Sequence, residues 1–254
     1  MKILFSIISV THIPEKQIKI CLKSAKKYFL VEHDVDYVIF TDLETPPKDI
    51  GARYVKIDNS FSDKKTYYQF QKLLHLNYVD FNQYDYIFVC DYDSWFINEI
   101  TDEDLLTNEL CILQHFSRIK IKPLIHLWTD VINTDDDNLD HTMGNFFGGP
   151  SNLMNQLKDF TNEIWEKHKN YHFKDFEFFS YHSEEVVLIS FVDKQKPPHK
   201  FLSSSFEYNQ SAFISDFHAN GNLLENYKDF KLIHNTKYLL NIIELSDKLF
   251  EDIF

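Results

Sequence analysis

The sequence predicts an α/β fold, a mainly parallel central sheet with helices on both faces, and three observations predict it. Short apolar runs alternate with longer segments of helical apolar spacing from Lys2 to Cys90, in the order β-α-β-β-α-β. Only 5 glycines in 254 residues leave little room for flexible linkers, so one compact unit is expected. Finally, Asp91-Tyr92-Asp93 directly follows the apolar run Tyr86-Ile87-Phe88-Val89-Cys90. Two carboxylates are thereby released at the carboxyl end of a buried strand, the edge where open α/β sheets bind ligands.

Each element has its own signal. Lys2 to Val10 reads as the first strand. After the break at Pro14, Ile18, Cys21, Leu22, Ala25 and Phe29 recur at helical spacing and predict a helix from Lys16 to Phe29. Asp36 to Thr41 and Arg53 to Ile57 are the next strands, and Lys64 to Tyr78 is a second long helix. Glu109 to Gln114 is a further strand. Residues 117–143 look like a long excursion, either a surface insertion or a region that serves a site. Gly148-Gly149-Pro150 breaks the chain before a helix from Asn152 to Lys169, and a shorter helix runs from Ser183 to Phe191.

Composition narrows the function. A formal net charge of −13 with no basic stripe argues against nucleic acid as a partner. It also makes a polyanionic ligand awkward unless a metal or local cations intervene. The 24 Phe and 14 Tyr are expected to fill the core. Cys21, Cys90 and Cys111 are odd in number, far apart in sequence and apolar in context, which suggests small core residues in a reducing compartment. The opening run Lys2 to Ile8 is too short to span a bilayer and lacks a cleavage pattern, so the expectation is a cytosolic protein.

The acidic pair suits a hard divalent cation that holds a diphosphate. An isolated D-x-D is more often a solvated turn, so the surrounding segments must decide. Five of them form a pattern: CLKSAKKYFLVEHDVDYVIFTD, DYIFVCDYDSWF, MGNFFGGP, YHSEEVVLISF and LSSSFEYNQ. In this order they resemble the retaining glycosyltransferases of the histo-blood-group A and B type and the related α1,3-galactosyltransferases. The resemblance covers most of the chain. It implies a glycosyltransferase-A-type nucleotide-binding fold fused to an acceptor-binding lobe. Residues 1–254 would be a single catalytic domain, with 1–100 mainly nucleotide-binding and 101–254 mainly acceptor- and sugar-binding. The implied reaction moves galactose or N-acetylgalactosamine from a UDP-sugar to a galactoside-type acceptor, with retained anomeric configuration. Soluble bacterial relatives typically carry N-x-N and dispense with metal, so the intact acidic pair predicts dependence on Mn2+ or Mg2+.

The resemblance also assigns residues. Asp93, and Asp91 directly or through ribose or water, would hold the cation, and His234 is a further candidate ligand. Ser9-Val10-Thr11 would clasp the uracil, and Asp42 would face the nucleotide from the second strand. Lys72 stands where the family places a basic residue near the donor phosphates, with Gln71 an equal claimant and a solvated helix face the simpler account. Met143, Gly144 and Asn145 would line the sugar pocket. Asn145 is larger than the Gly or Ala often found at its position, which favours galactose over the N-acetylated sugar. The key carboxylate is Glu184 in an ungapped match, or Glu185 after a one-residue shift, beside His182. Acidic residues favour a helix's first turn in any case. His115, Asn209 and Gln210 would contact substrate, and Lys237 the diphosphate.

Two other functions fit parts of the pattern. In phosphatases of the haloacid-dehalogenase type a D-x-D also ends a strand, though normally the first. A non-catalytic sugar-binding module on the same fold would bind saccharide without turnover.

Overall fold

The computed structural model describes residues 1–10, 15–47, 50–58, 70–114, 142–168, 183–202, 204–205, 214–216 and 231–234. The chain opens with strand β1 (Lys2–Ile8), helix α1 (Glu15–Tyr28), β2 (Asp34–Thr41) and β3 (Arg53–Lys56). Residues 70–74 are helical and pass into a 3-10 turn at His75–Tyr78. Then come β4 (Tyr86–Cys90), β5 (Ser94–Phe96), the single-turn α2 (Asp102–Leu105) and β6 (Leu110–Gln114). The second half contributes β7 (Thr142–Pro150), α3 (Ser151–His168), α4 (Ser183–Gln195) and β8 (His199–Leu202). Three short strands follow, β9 (Ser204–Ser205), β10 (Ile214–Asp216) and β11 (Leu232–His234).

The main sheet has seven strands in the order β3-β2-β1-β4-β7-β6-β8. All its pairings are parallel except those of β7, which runs antiparallel to both β4 and β6. The expected α/β class with a mostly parallel sheet is therefore present. Both halves of the chain build this sheet, because β6, β7 and β8 extend it beyond β4. A second sheet of order β5-β11-β10-β9 takes its first strand from the residues just after the acidic pair. None of the described helices is long and apolar enough to cross a membrane.

Strand alternation sends successive side chains into two separate apolar layers. Phe5, Phe88 and Phe146 face α1 and β5, where Phe29 packs among them with ring centroids 5.0 Å from Phe5, 5.4 Å from Phe88 and 5.2 Å from Phe96. Leu4, Ile87 and Phe147 face the opposite layer, formed by Phe70, Leu73 and Leu76 with residues of α3 and α4. Helices thus cover both faces. Most of the aromatic surplus among the described residues is core, as composition suggests.

One sequence expectation fails here. MGNFFGGP, whose Gly148-Gly149-Pro150 reads as a chain break, lies inside β7, an interior strand of the sheet. Phe146 and Phe147 each fill one layer, and the glycines permit close strand contact: a Cβ on Gly148 would sit 2.4 Å from the Ile87 carbonyl oxygen. Loop character survives at one point. The register passes from Ile112↔Phe147 to Leu113↔Met143, so Gly144, Asn145 and Phe146 bulge away from β6. Bulges of this kind re-aim side chains beside sites.

Candidate active site

The site grows from the carboxyl edge of β1 and β4 and from this bulge. Asp91 leaves β4, its N–H donating to the Asn145 carbonyl at 2.8 Å. The Ser94 N–H donates back to the Asp91 carbonyl at 3.0 Å, which closes a tight turn around Asp91-Tyr92-Asp93. The simple alternative for D-x-D was a solvated turn. It is a turn, but its acids are drawn inward: Asp93 is only 9% exposed and the Asp91 side chain 23%. Beneath them the thiols of Cys21 and Cys90 both point at the Asp91 carbonyl, at 3.9 and 3.4 Å. Cys21 and Cys90, far apart in sequence, thus meet under the acidic turn, and all three cysteines are free.

The helical residues 70–74 are pinned to the sheet by His75, which follows them directly. Ser6 on β1 donates to the Phe88 carbonyl at 3.0 Å, so its oxygen accepts from His75 Nε2 at 3.2 Å. Burial pushes the His75 imidazole down to about 3, so it is neutral at physiological pH. Lys72 lies three residues earlier on the same helix face. That geometry carries its ammonium over the strand ends. Lys72 Nζ donates to Asp91 Oδ2 at 2.7 Å and to Glu184 Oε1 at 3.0 Å. A solvated helix face, the simpler account from sequence, is therefore wrong for Lys72. The two carboxylates hold its ammonium charged well above the usual lysine range, against the cost of burial.

Glu184 is in the first turn of α4 and is 3% exposed. Two contacts fasten that turn to β7: Thr142 Oγ1 donates to the Glu185 carbonyl at 3.0 Å, and the Gly144 N–H donates to Glu185 Oε1 at 3.4 Å. Gly144 has no room for a side chain, since a Cβ there would lie 2.5 Å from Glu184 Cγ. Burial raises Glu184 to about 7, with Lys72 opposing the rise and Glu185 and Asp91 adding to it. Its second oxygen, Oε2, is buried without a hydrogen-bond partner among the described residues. Both polar atoms of the Asn145 amide are in the same condition. Buried polar groups are nearly always satisfied, by protein, water or ligand.

Between the two candidate carboxylates, the fold separates their surroundings. Glu184 meets Lys72 and, through it, Asp91, whereas Glu185 braces Gly144. Ser9 and Val10 follow directly on β1, both buried, with the Ser9 N–H donating to the Phe40 carbonyl at 3.0 Å. Asp42 lines a cleft of about 420 Å3 between the ends of β2 and β3 with Glu44, Lys56, Ile57, Asp58 and Tyr78. β11 runs antiparallel to β5 with His234 opposite Ser94, which brings the backbone of His234 beside the acidic turn. Met143 is placed by its backbone at the edge of the bulge. Thr11, His115, His182, Asn209, Gln210 and Lys237 lie outside the described residues.

Asp91 and Asp93 suit a hard divalent cation, two carboxylates on one turn whose ion would take its other ligands from phosphate and water. Among the described residues no group of three or more His, Cys, Asp or Glu forms a fuller ligand set. Sequence reasoning missed the Lys72 bridge and the support from His75 and Ser6. The signal for Lys72 was its three-residue spacing from a histidine on an otherwise apolar helix face, which periodicity alone does not distinguish from a solvated lysine. No family model matches the chain, and no curated protein does.

Proposed function

We propose that the protein is a retaining glycosyltransferase of the glycosyltransferase-A type, moving galactose from UDP-galactose to a galactoside-type acceptor. One observation carries the reading: a single ammonium, Lys72, joins the acidic turn to Glu184. Asp91 and Glu184 come from two segments that carry the family resemblance, and Lys72, one of two claimants for a basic position outside those segments, bridges them.

In this reading Asp91 and Asp93 hold the diphosphate through Mn2+ or Mg2+. When bound, that cation supplies Lewis-acid neutralisation of charge on the departing UDP. The bond between C1 of the sugar and the UDP oxygen breaks, and UDP leaves with the electron pair. Glu184 faces the positive charge that develops at C1 and stabilises it from the opposite side. The acceptor hydroxyl then bonds to C1 on the face that UDP vacated, and its proton passes to the leaving phosphate oxygen. Lys72 keeps Glu184 in place, and Gly144 lets it stand close to the strand. The Asn145 amide fills space that a 2-acetamido group would need, which favours galactose over N-acetylgalactosamine. A higher kcat/KM with UDP-GalNAc than with UDP-galactose would overturn that preference.

The test is a screen for UDP release from UDP-sugars with Mn2+ and then EDTA. Turnover is expected with UDP-galactose, slowly even to water, and chelation should abolish it. Phosphate release from a phosphomonoester instead would favour the haloacid-dehalogenase reading. Saccharide binding with no turnover would favour a non-catalytic module.

A further inference from the structure

We propose that Lys72 couples the acidic turn to Glu184: a divalent cation arriving at Asp91 and Asp93 displaces the ammonium from Asp91 and leaves it to Glu184 alone. The proposal rests on the metal-dependent reading above and goes beyond it, because it concerns how one half of the site senses whether the other is loaded.

The charge balance motivates it. The described part of the site holds four carboxylates, those of Asp91, Asp93, Glu184 and Glu185, and one ammonium, that of Lys72. Lys72 divides its hydrogen bonds between Asp91 Oδ2 at 2.7 Å and Glu184 Oε1 at 3.0 Å. A divalent cation and an ammonium drawn to one carboxylate share its charge and repel each other at that separation. Among the described residues the other side-chain partner of the ammonium is Glu184, so it receives what Asp91 gives up. Burial magnifies the exchange, since Glu184 is 3% exposed and water screens little there. The consequence is ordered loading: with the acidic turn empty, Lys72 is shared and Glu184 is only half neutralised. With the turn occupied, Glu184 has a full counter-ion that fixes its oxygens before the sugar arrives.

Linkage is reciprocal, so Glu184 and Lys72 must in turn set the affinity of the acidic turn for the cation. The experiment is titration of the full chain with Mn2+ in the absence of any donor, read by calorimetry or by the EPR signal of free Mn2+. Removing the competing ammonium in K72M should tighten Mn2+ binding about tenfold. K72R, which keeps the charge, should stay within about twofold of wild type. E184Q returns Lys72 wholly to Asp91, and should weaken Mn2+ binding about fivefold. E185Q removes an equal charge from the same helical turn without touching Lys72, and should change affinity by less than about twofold.

Unchanged or weaker Mn2+ binding in K72M overturns the coupling, as does equal weakening in E184Q and E185Q, which would be simple charge loss. If K72M does not fold, the comparison of E184Q with E185Q still decides. D93N separates this inference from the reading beneath it. Mn2+ binding that D93N abolishes but Lys72 does not modulate defeats the coupling alone. Mn2+ binding indifferent to D93N defeats the metal-dependent reading as well.

Discussion

The aromatic layer under α1 and the polar cluster at the strand ends are built on the same strands, yet they obey opposite rules. Around Phe29 every ring has ring partners, at centroid distances of 5.0 to 6.3 Å, and the buried Trp95 Nε1 in the same layer lacks a hydrogen-bond partner among the described residues. Around Lys72 a buried carboxylate oxygen and a whole buried amide lack partners among the described residues. The residues Asn145 and Phe146 are adjacent, one in each regime. The contrast is between a layer held by ring packing and an edge where charged and amide groups are gathered on neighbouring residues.

That contrast can be broken or sharpened by experiment. The largest effect expected is on chemistry at the polar edge. E184Q should lower transfer by about a thousandfold or more while UDP affinity stays within about threefold. Equal loss in E185Q, with E184Q active, would move the key carboxylate to the other position. Next is the core: Phe29→Ala should cost about 3–5 kcal/mol in chemical denaturation, and kcat per folded molecule should hold. A large loss of kcat at full folding would show that the platform and the edge are not separable.

The third test uses protons. Glu184 is raised from its unfolded value of 4.5 to about 7, so the native state binds the extra proton between those values. Its contribution to stability is complete below about pH 4.5 and is lost as pH rises through about 7, roughly 3 kcal/mol in all. Wild type should therefore lose stability relative to E184Q over that window. His75 works in the other direction, because its depressed value destabilises the native state as pH falls below 6.5. Taking the difference between wild type and E184Q cancels the His75 contribution and isolates Glu184. A difference flat with pH would contradict the buried, raised carboxylate. The smallest effect expected is that of Gly144→Ala, whose Cβ meets Glu184 Cγ at 2.5 Å. It should cost about 1–3 kcal/mol and lower kcat more than it raises KM. An unperturbed kcat would mean Glu184 has freedom to move aside.

Much of this architecture is legible in residue order. Tyr86 to Cys90 is a strand from end to end as its apolar run implies, and α1 starts one residue before its periodicity predicts. The acidic pair stands at the carboxyl end of that strand for the same local reason. Other features depend on long-range pairing. The glycines of β7 look like a break because glycine lowers strand propensity, and only the close approach of β4 shows why they are required. Lys72 and Glu184 are 112 residues apart, and no local pattern marks them as partners.

The sequence by itself determined the alternation of strand and helix, the burial of most of its aromatics in the core and the placing of Asp91 and Asp93 at the end of a strand. Periodicity and strand polarity are local properties, and they survive into the folded state. Only the tertiary structure decided that MGNFFGGP lies in a bulged interior strand, that Glu184 rather than Glu185 meets the ammonium, and that Lys72 turns inward to two carboxylates. Each of these depends on which distant segments share space. Desolvation and ion pairing act across that space, however far apart the partners stand in the chain.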